Sequence, residues 1–342
     1  MKRSKRFWIV TISAILAGIA APIIFWFAYL NLQNVSPGEA ISLLSLPESH
    51  SIPQRTFSLV EQTVSAIAEY GFSNIYKLTA LALIILLWRK RSPDLVALRR
   101  GLISSLLAEL VKVAGTANFL GDTQGLIVGY LYGAGEAICF SLVTYALMVA
   151  LDERIFKFSC KDGKCALLNL CRQCHKYSAT PCNLRLLFLF TIAGAAIISL
   201  MPLTAGFMNV YYKGVVFGET EVFGMPLFQQ ILALRVFPII GFIFIFISWV
   251  TLLWKKEEGI TASKDLFAIG LGPVGYSLLT FMTYWGFQNS LLWAEVWEEC
   301  SEVLFIMGVA VTLFVFRKTL FGTPTKQFNG DVKSDNGLPS TP

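Results

Sequence analysis

The sequence predicts an all-α integral membrane protein, with about eight transmembrane helices in one bundle. Three observations carry that expectation. The chain is 342 residues long, 55% hydrophobic and only 15% charged, with mean hydropathy +0.62, too apolar for a soluble domain of this size. Apolar runs recur along it near the ~20 residues that a helix needs to cross a bilayer. Its basic residues fall on alternate connections between those runs, the pattern that orients a multi-pass chain.

Span one covers 7–30 and follows Lys2, Arg3, Lys5 and Arg6. Its apolar run continues past Ala20-Ala21-Pro22 to Leu30, too long for a secretory h-region, so it reads as a retained anchor. In the following loop, Phe57, Val60, Val64 and Ile67 recur at helical spacing within Gln54–Tyr70. This predicts an amphipathic surface helix or an extension of span two. Span two is 72–88 and span three is 95–115, the latter opened by Ser92-Pro93 and interrupted by Glu109 and Lys112.

Span four, 125–150, repeats Gly125, Gly129 and Gly133 at GxxxG spacing with Ala137 extending the line, a stripe that lets helix backbones approach. Spans five and six are 186–206 and 228–254. Span seven, 266–287, is announced by Ser263 and weakened by Gly270, Gly272, Pro273 and Gly275, which predicts a kink. Span eight is 294–316. The membrane domain thus occupies 1–321, and the polar tail 322–342 reads as disordered.

Twenty-three of the 28 basic residues lie on one side. They precede span one, flank the 89–100 connection, fill the loop 152–185, and follow spans six and eight. Both termini are therefore expected in the cytoplasm, in a plasma or inner membrane. The net charge of +6 reports orientation, and no nucleic-acid partner is implied; the partner that composition does imply is the lipid bilayer. All eight tryptophans fall near span ends, where indole anchors at the headgroups. A faint echo joins the halves: Leu86-Leu87-Trp88-Arg89-Lys90 resembles Leu252-Leu253-Trp254-Lys255-Lys256, and 48 residues after each Trp stands a glutamate, Glu136 and Glu302. That fits a parallel four-plus-four pseudo-repeat.

Five of the seven cysteines cluster in the loop between spans four and five. On the cytoplasmic side thiols stay reduced, so a metal is expected rather than disulfides. Cys165, Cys171, Cys174 and Cys182 are the preferred ligands, with Cys160 and His175 as alternates, for an iron–sulfur cluster or zinc. Cys171-Arg172-Gln173-Cys174-His175 matches c-type haem attachment, but that chemistry belongs to the outer compartment, so no c-type haem is expected.

Ionisable groups at bilayer depth are costly and point to function. Glu109, Glu136 and Glu302 fall at similar depths on three spans, with Lys112 one turn from Glu109 as its expected partner, and these four are candidates for a proton or cation path. Glu295, Glu298 and Glu299 lie nearer the outer interface as a candidate mouth, with Arg235 placed to pair with one of them. No span contains a histidine, which argues against intramembrane metalloprotease chemistry and b-type haem. Three readings follow. The first is a membrane redox component, its iron–sulfur loop taking electrons from a cytoplasmic donor while the glutamates handle protons or a quinone. The second is a proton- or cation-coupled transporter or channel with a structural zinc loop. The third is a scaffold or sensor whose metal loop docks a protein.

Overall fold

The computed structural model of the chain describes residues 2–24, 53–116, 124–151, 183–207, 211–225 and 227–321. Helix α1 (Lys2–Ile15) runs on through a wide turn at Leu16–Ala20. Helix α2 (Leu59–Leu87) begins where Ser58 and Glu61 cap each other: the Glu61 N–H donates to Ser58 Oγ at 3.3 Å and the Ser58 N–H to Glu61 Oε2 at 2.9 Å. The periodic stretch before span two is thus an extension of that span. Helix α3 (Pro93–Thr116) starts at the expected proline. Helices α4 (Gln124–Ala150), α5 (Asn183–Ser199), α6 (Leu227–Lys255), α7 (Gly259–Trp285), α8 (Leu291–Val315) and α9 (Arg317–Phe321) follow.

Five stretches are long and apolar enough to cross a membrane: α2, Ile127–Ala150 of α4, Leu186–Thr204 at α5, α6 and α7. They mark a multi-pass membrane protein. The apolar part of α1, Trp8–Ile24, is shorter, while α3 and α8 interrupt their apolar runs with charged residues.

The backbone keeps a helical twist from Phe237 to Thr280, 44 residues, yet those residues are not one rod. A straight helix of that length would run ~66 Å. Instead Ser248 Oγ donates to the Ser263 carbonyl at 2.7 Å and Ser263 Oγ to the Ser248 carbonyl at 2.9 Å, so the chain doubles back between α6 and α7. Ser263, expected to open span seven, is fully buried in this hairpin. The glycines of α7 do not break it. A Cβ on Gly270 would stand 2.9 Å from the Gly241 carbonyl of α6, and one on Gly272 would collide with Ser141 and the Ala137 carbonyl of α4. Both positions exist for close helix approach.

Helix α4 occupies the middle, packed along α3 on one side and the α6–α7 hairpin on the other; α5 lies outside that hairpin. The chain is all-α as expected, with one small sheet added to its helices. Strands β1 (Gln54–Arg55), β2 (Tyr212–Val216) and β3 (Glu219–Phe223) form a small sheet in that order, β1 parallel and β3 antiparallel to β2. Its two-residue turn, Phe217-Gly218, has φ of 47° and 95°, matching the twist of a tight hairpin. The strained Phe217 is held by its N–H donating to Gln62 Oε1 of α2 at 3.0 Å. Phe57, Tyr212 and Phe223 pack beneath the sheet, onto the starts of α2 and α8. Neither Tyr212–Val216 nor Glu219–Phe223 alternates strictly between apolar and polar residues, which is why the sequence did not announce them.

The sheet caps one end of the bundle. At the other end Lys90 lies over the Phe321 ring at 5.0 Å, and Arg100 over Trp8 at 4.5 Å. The start of α1, the α2–α3 connection and α9 therefore share that basic end.

Candidate functional site: an acidic cavity inside the bundle

Helix α8 carries Glu295, Glu298, Glu299 and Glu302 at i, i+3, i+4 and i+7, which puts all four carboxylates on one face. Leu304, Met307, Val311 and Phe314 emerge elsewhere on the helix, each about half to two-thirds exposed. Helix α3 repeats the device with Ser105 and Glu109 buried and Lys112 turned toward Glu299 of α8, while Leu107 and Leu110 face out. Charges on these helices thus reduce their apparent apolarity without reaching their outer faces.

The inward faces of α2, α3, α7 and α8, together with β3, line a half-open cavity of about 580 Å³ at the sheet end. Glu69, Glu109, Glu221, Glu295, Glu298 and Glu299 line it, against Lys77 and Lys112. Wide helical turns at Ile67–Phe72 and Phe281–Trp285 present Glu69 and Tyr284 to it; such turns recur at functional sites. At its rim, partial burial and then the neighbouring Glu69 and Glu219 push the Glu221 carboxyl above its ordinary range.

Lys77 Nζ pairs with Glu109 Oε2 at 3.1 Å. This corrects the expected Lys112–Glu109 pair: Lys112 reaches across to Glu299 Oε1 of α8 at 3.6 Å and lies over the Tyr132 ring. A flexible lysine one turn away follows the denser carboxylate cluster opposite, and α2 supplies a cation that sequence spacing could not place beside α3. Glu109 is only 3% exposed, and its Oε1 accepts no hydrogen bond among the described residues.

Deeper in, the Tyr132 hydroxyl lies 3.0 Å from Glu302 Oε1 and 3.2 Å from Glu298 Oε1, while Tyr284 donates to Glu298 Oε2 at 2.9 Å. A phenol has one proton. It satisfies one carboxylate at a time, so both contacts are hydrogen bonds only when a second proton resides on the other glutamate. Next to this bridge, the Ser105 hydroxyl donates to Glu136 Oε1 and takes the Tyr76 hydroxyl as its own partner. Glu136 and Glu302, both buried, face a smaller cavity of about 220 Å³ with Tyr76, Phe140 and Phe305. The second oxygen of Glu302 also lacks a partner among the described residues.

Beyond Phe305 opens an apolar cleft of about 380 Å³ toward the basic end, lined by Leu98, Val143 and Leu313 with Asp94. Phe305 lines both spaces, and its ring stands 5.2 Å from that of Phe140. One aromatic layer divides the acidic chain from the cleft.

The structure therefore gathers Glu136 and Glu302 at one cavity and Glu109, Lys112, Glu295, Glu298 and Glu299 at its neighbour. It does not bring Arg235 there: that guanidinium donates to the carbonyls of Ala205 and Pro202 and covers the Phe207 ring at 4.7 Å. Sequence reasoning missed Lys77, Tyr76, Ser105, Tyr132, Tyr284, Glu69 and Glu221. The legible signal was a lysine and hydroxyls inside apolar spans. Cys160, Cys165, Cys171, Cys174, His175 and Cys182 lie outside the described residues; among those described, no three His, Cys, Asp or Glu converge on a metal. No protein-family model, curated protein or solved structure matches the chain.

Proposed function

We propose that this is an eight-span membrane protein with both termini in the cytoplasm, which moves protons or another cation along its buried glutamates. The observation that carries the reading is the Glu298–Tyr132–Glu302 bridge, two carboxylates on one phenol, because such a bridge changes partner whenever a proton arrives or leaves. The order of groups supports it: an acidic vestibule under the sheet, the tyrosine bridge, Glu136 with Ser105 and Tyr76, and then an apolar barrier. Buried carboxylates at bilayer depth are costly, and structural pairing alone accounts poorly for Glu109, Glu295, Glu298 and Glu299 lining one cavity with two lysines. The apolar outer faces of α3 and α8 suit lipid, which brings the membrane-crossing helices to eight once α1 is included. The clustering of basic residues at the end shared by Trp8 and Phe321 favours that end as the cytoplasmic one.

The equivalence of Glu136 and Glu302 in the four-plus-four echo fits their shared cavity. The cysteine loop remains proposed as a metal site, iron–sulfur or zinc, serving a redox partner or the shape of the loop. Metal analysis of anaerobically purified protein separates iron with acid-labile sulfide from zinc, and absence of both sinks that part.

The decisive experiment reconstitutes the purified chain in liposomes with an internal pH dye and an imposed membrane potential. Flux above that of empty liposomes is expected, with Tyr132→Phe and Glu136→Gln each lowering it at least about tenfold, the scale of removing one proton-transfer group. Wild-type flux that both substitutions leave intact would overturn the proposal.

A further inference from the structure

The apolar cleft beyond Phe305 takes no part in the proton path, and it is shaped like a slot for a hydrocarbon chain. Helices α3 and α4 line it on one side, α8 and Leu320 of α9 on the other. Its volume of about 380 Å³ lies within the ~300–1,000 Å³ of ligand sites. On α8 the lining runs from Leu304 to Leu313 along one continuous helix, ~14 Å at 1.5 Å per residue. The slot is open sideways: Leu304 is 69% exposed, Leu147 is 46% exposed, and a Cβ on Gly308 would meet nothing within 4 Å. These three residues line the slot and also lie on the outer surface of the bundle, so with α8 crossing the membrane the slot opens to lipid. An apolar void that faces hydrocarbon gains contacts when hydrocarbon fills it.

The basic end of the slot selects among lipids. Leu320 shares α9 with the exposed Arg317 and Lys318, and Phe321 beside it carries Lys90 over its ring at 5.0 Å. None of these three cations pairs with a carboxylate among the described residues. Asp94, the acidic residue of the lining, is 2% exposed in the first turn of α3, where the helix dipole favours it. We propose that the cleft holds one acyl chain of an anionic phospholipid, its phosphate at Lys90, Arg317 and Lys318 and its chain end against Phe305. Basic pockets between transmembrane helices bind anionic head groups. The apolar slot adds the burial of a chain, which a free phosphate lacks. The site rests on the proposed membrane crossing of α8, and not on transport.

Native mass spectrometry of the delipidated full chain in detergent tests it, with palmitoyl-oleoyl phosphatidylglycerol or the phosphatidylcholine of the same chains added. One tightly held phosphatidylglycerol is expected, bound at least about tenfold more strongly than phosphatidylcholine. Lys90→Gln and Lys318→Gln should each weaken it about fivefold, the scale of one cation near a membrane surface, and leave phosphatidylcholine unchanged. Gly308→Phe places a ring at the slot and should weaken both lipids, phosphatidylglycerol at least about tenfold. If that variant fails to fold, as judged by gel filtration, the two lysine variants decide the matter. A wild-type chain that holds no phosphatidylglycerol, or holds phosphatidylcholine equally well, overturns the proposal. Retention unchanged in all three variants overturns it too, as does displacement by inorganic phosphate at the concentration of the lipid. Proton flux dependent on Glu136 without bound lipid leaves the transport reading standing and removes the lipid site. Bound lipid without any flux supports the site and removes transport.

Discussion

Lys77 Nζ of α2 lies 3.1 Å from Glu109 Oε2 of α3, an ion pair between neighbouring helices in which the carboxylate is almost wholly buried and the lysine about a third exposed. The cation holds one carboxylate oxygen, and the other is buried without a hydrogen-bond partner among the described residues. Removing the cation alone should destabilise the fold, because Glu109 stays buried without its counter-charge. Lys77→Met is expected to lower stability by about 1–3 kcal/mol, the cost of leaving a buried polar group unpaired. Adding Glu109→Gln to it should recover part of that loss. Denaturant titration of the four proteins in detergent checks the cycle, and additive effects would show that the two side chains do not interact.

Phe305 lines both the 220 Å³ cavity and the 380 Å³ apolar cleft. Phe305→Ala should join the two and let protons leak through liposomes bearing the variant, while Phe305→Trp keeps them tight. The alanine variant also loses stability, by less than the about 3–5 kcal/mol of a fully buried aromatic, since Phe305 is only partly buried. A leak no greater than that of the wild type would remove Phe305 from the barrier.

Glu221 supplies a pH dependence outside the membrane helices. Burial first, and then the charges of Glu69 and Glu219, raise its proton affinity in the folded state above the ordinary value of 4.5. A group with a raised folded value is fully favourable below the unfolded value, and that advantage is lost as pH rises through the folded one. Glu221→Gln should therefore match the wild type well below pH 4.5 and become the more stable protein toward neutrality. Thermal midpoints measured across that range decide it. A variant whose midpoint runs parallel to that of the wild type would show that Glu221 titrates normally.

Composition, hydropathy and the spacing of glutamates determined much by themselves. The apolar runs coincide with helices, though α2 begins at Leu59 and α7 at Gly259, well before the runs they contain, because a chain that leaves its backbone in lipid must satisfy it locally, in helices. The i, i+3, i+4, i+7 glutamates of span eight already shared a face before any fold was known, since helical periodicity is a local property. Tertiary structure alone decided who meets whom. Lys77 took Glu109 from Lys112, Tyr132 came between Glu298 and Glu302, and Ser263 turned from an expected helix start into the buried clasp of a hairpin. The sheet under which the cavity forms joins residues 54–55 to 212–223, a pairing no local pattern encodes. Which carboxylate finds a cation depends on groups far apart along the chain and close only after the helices pack.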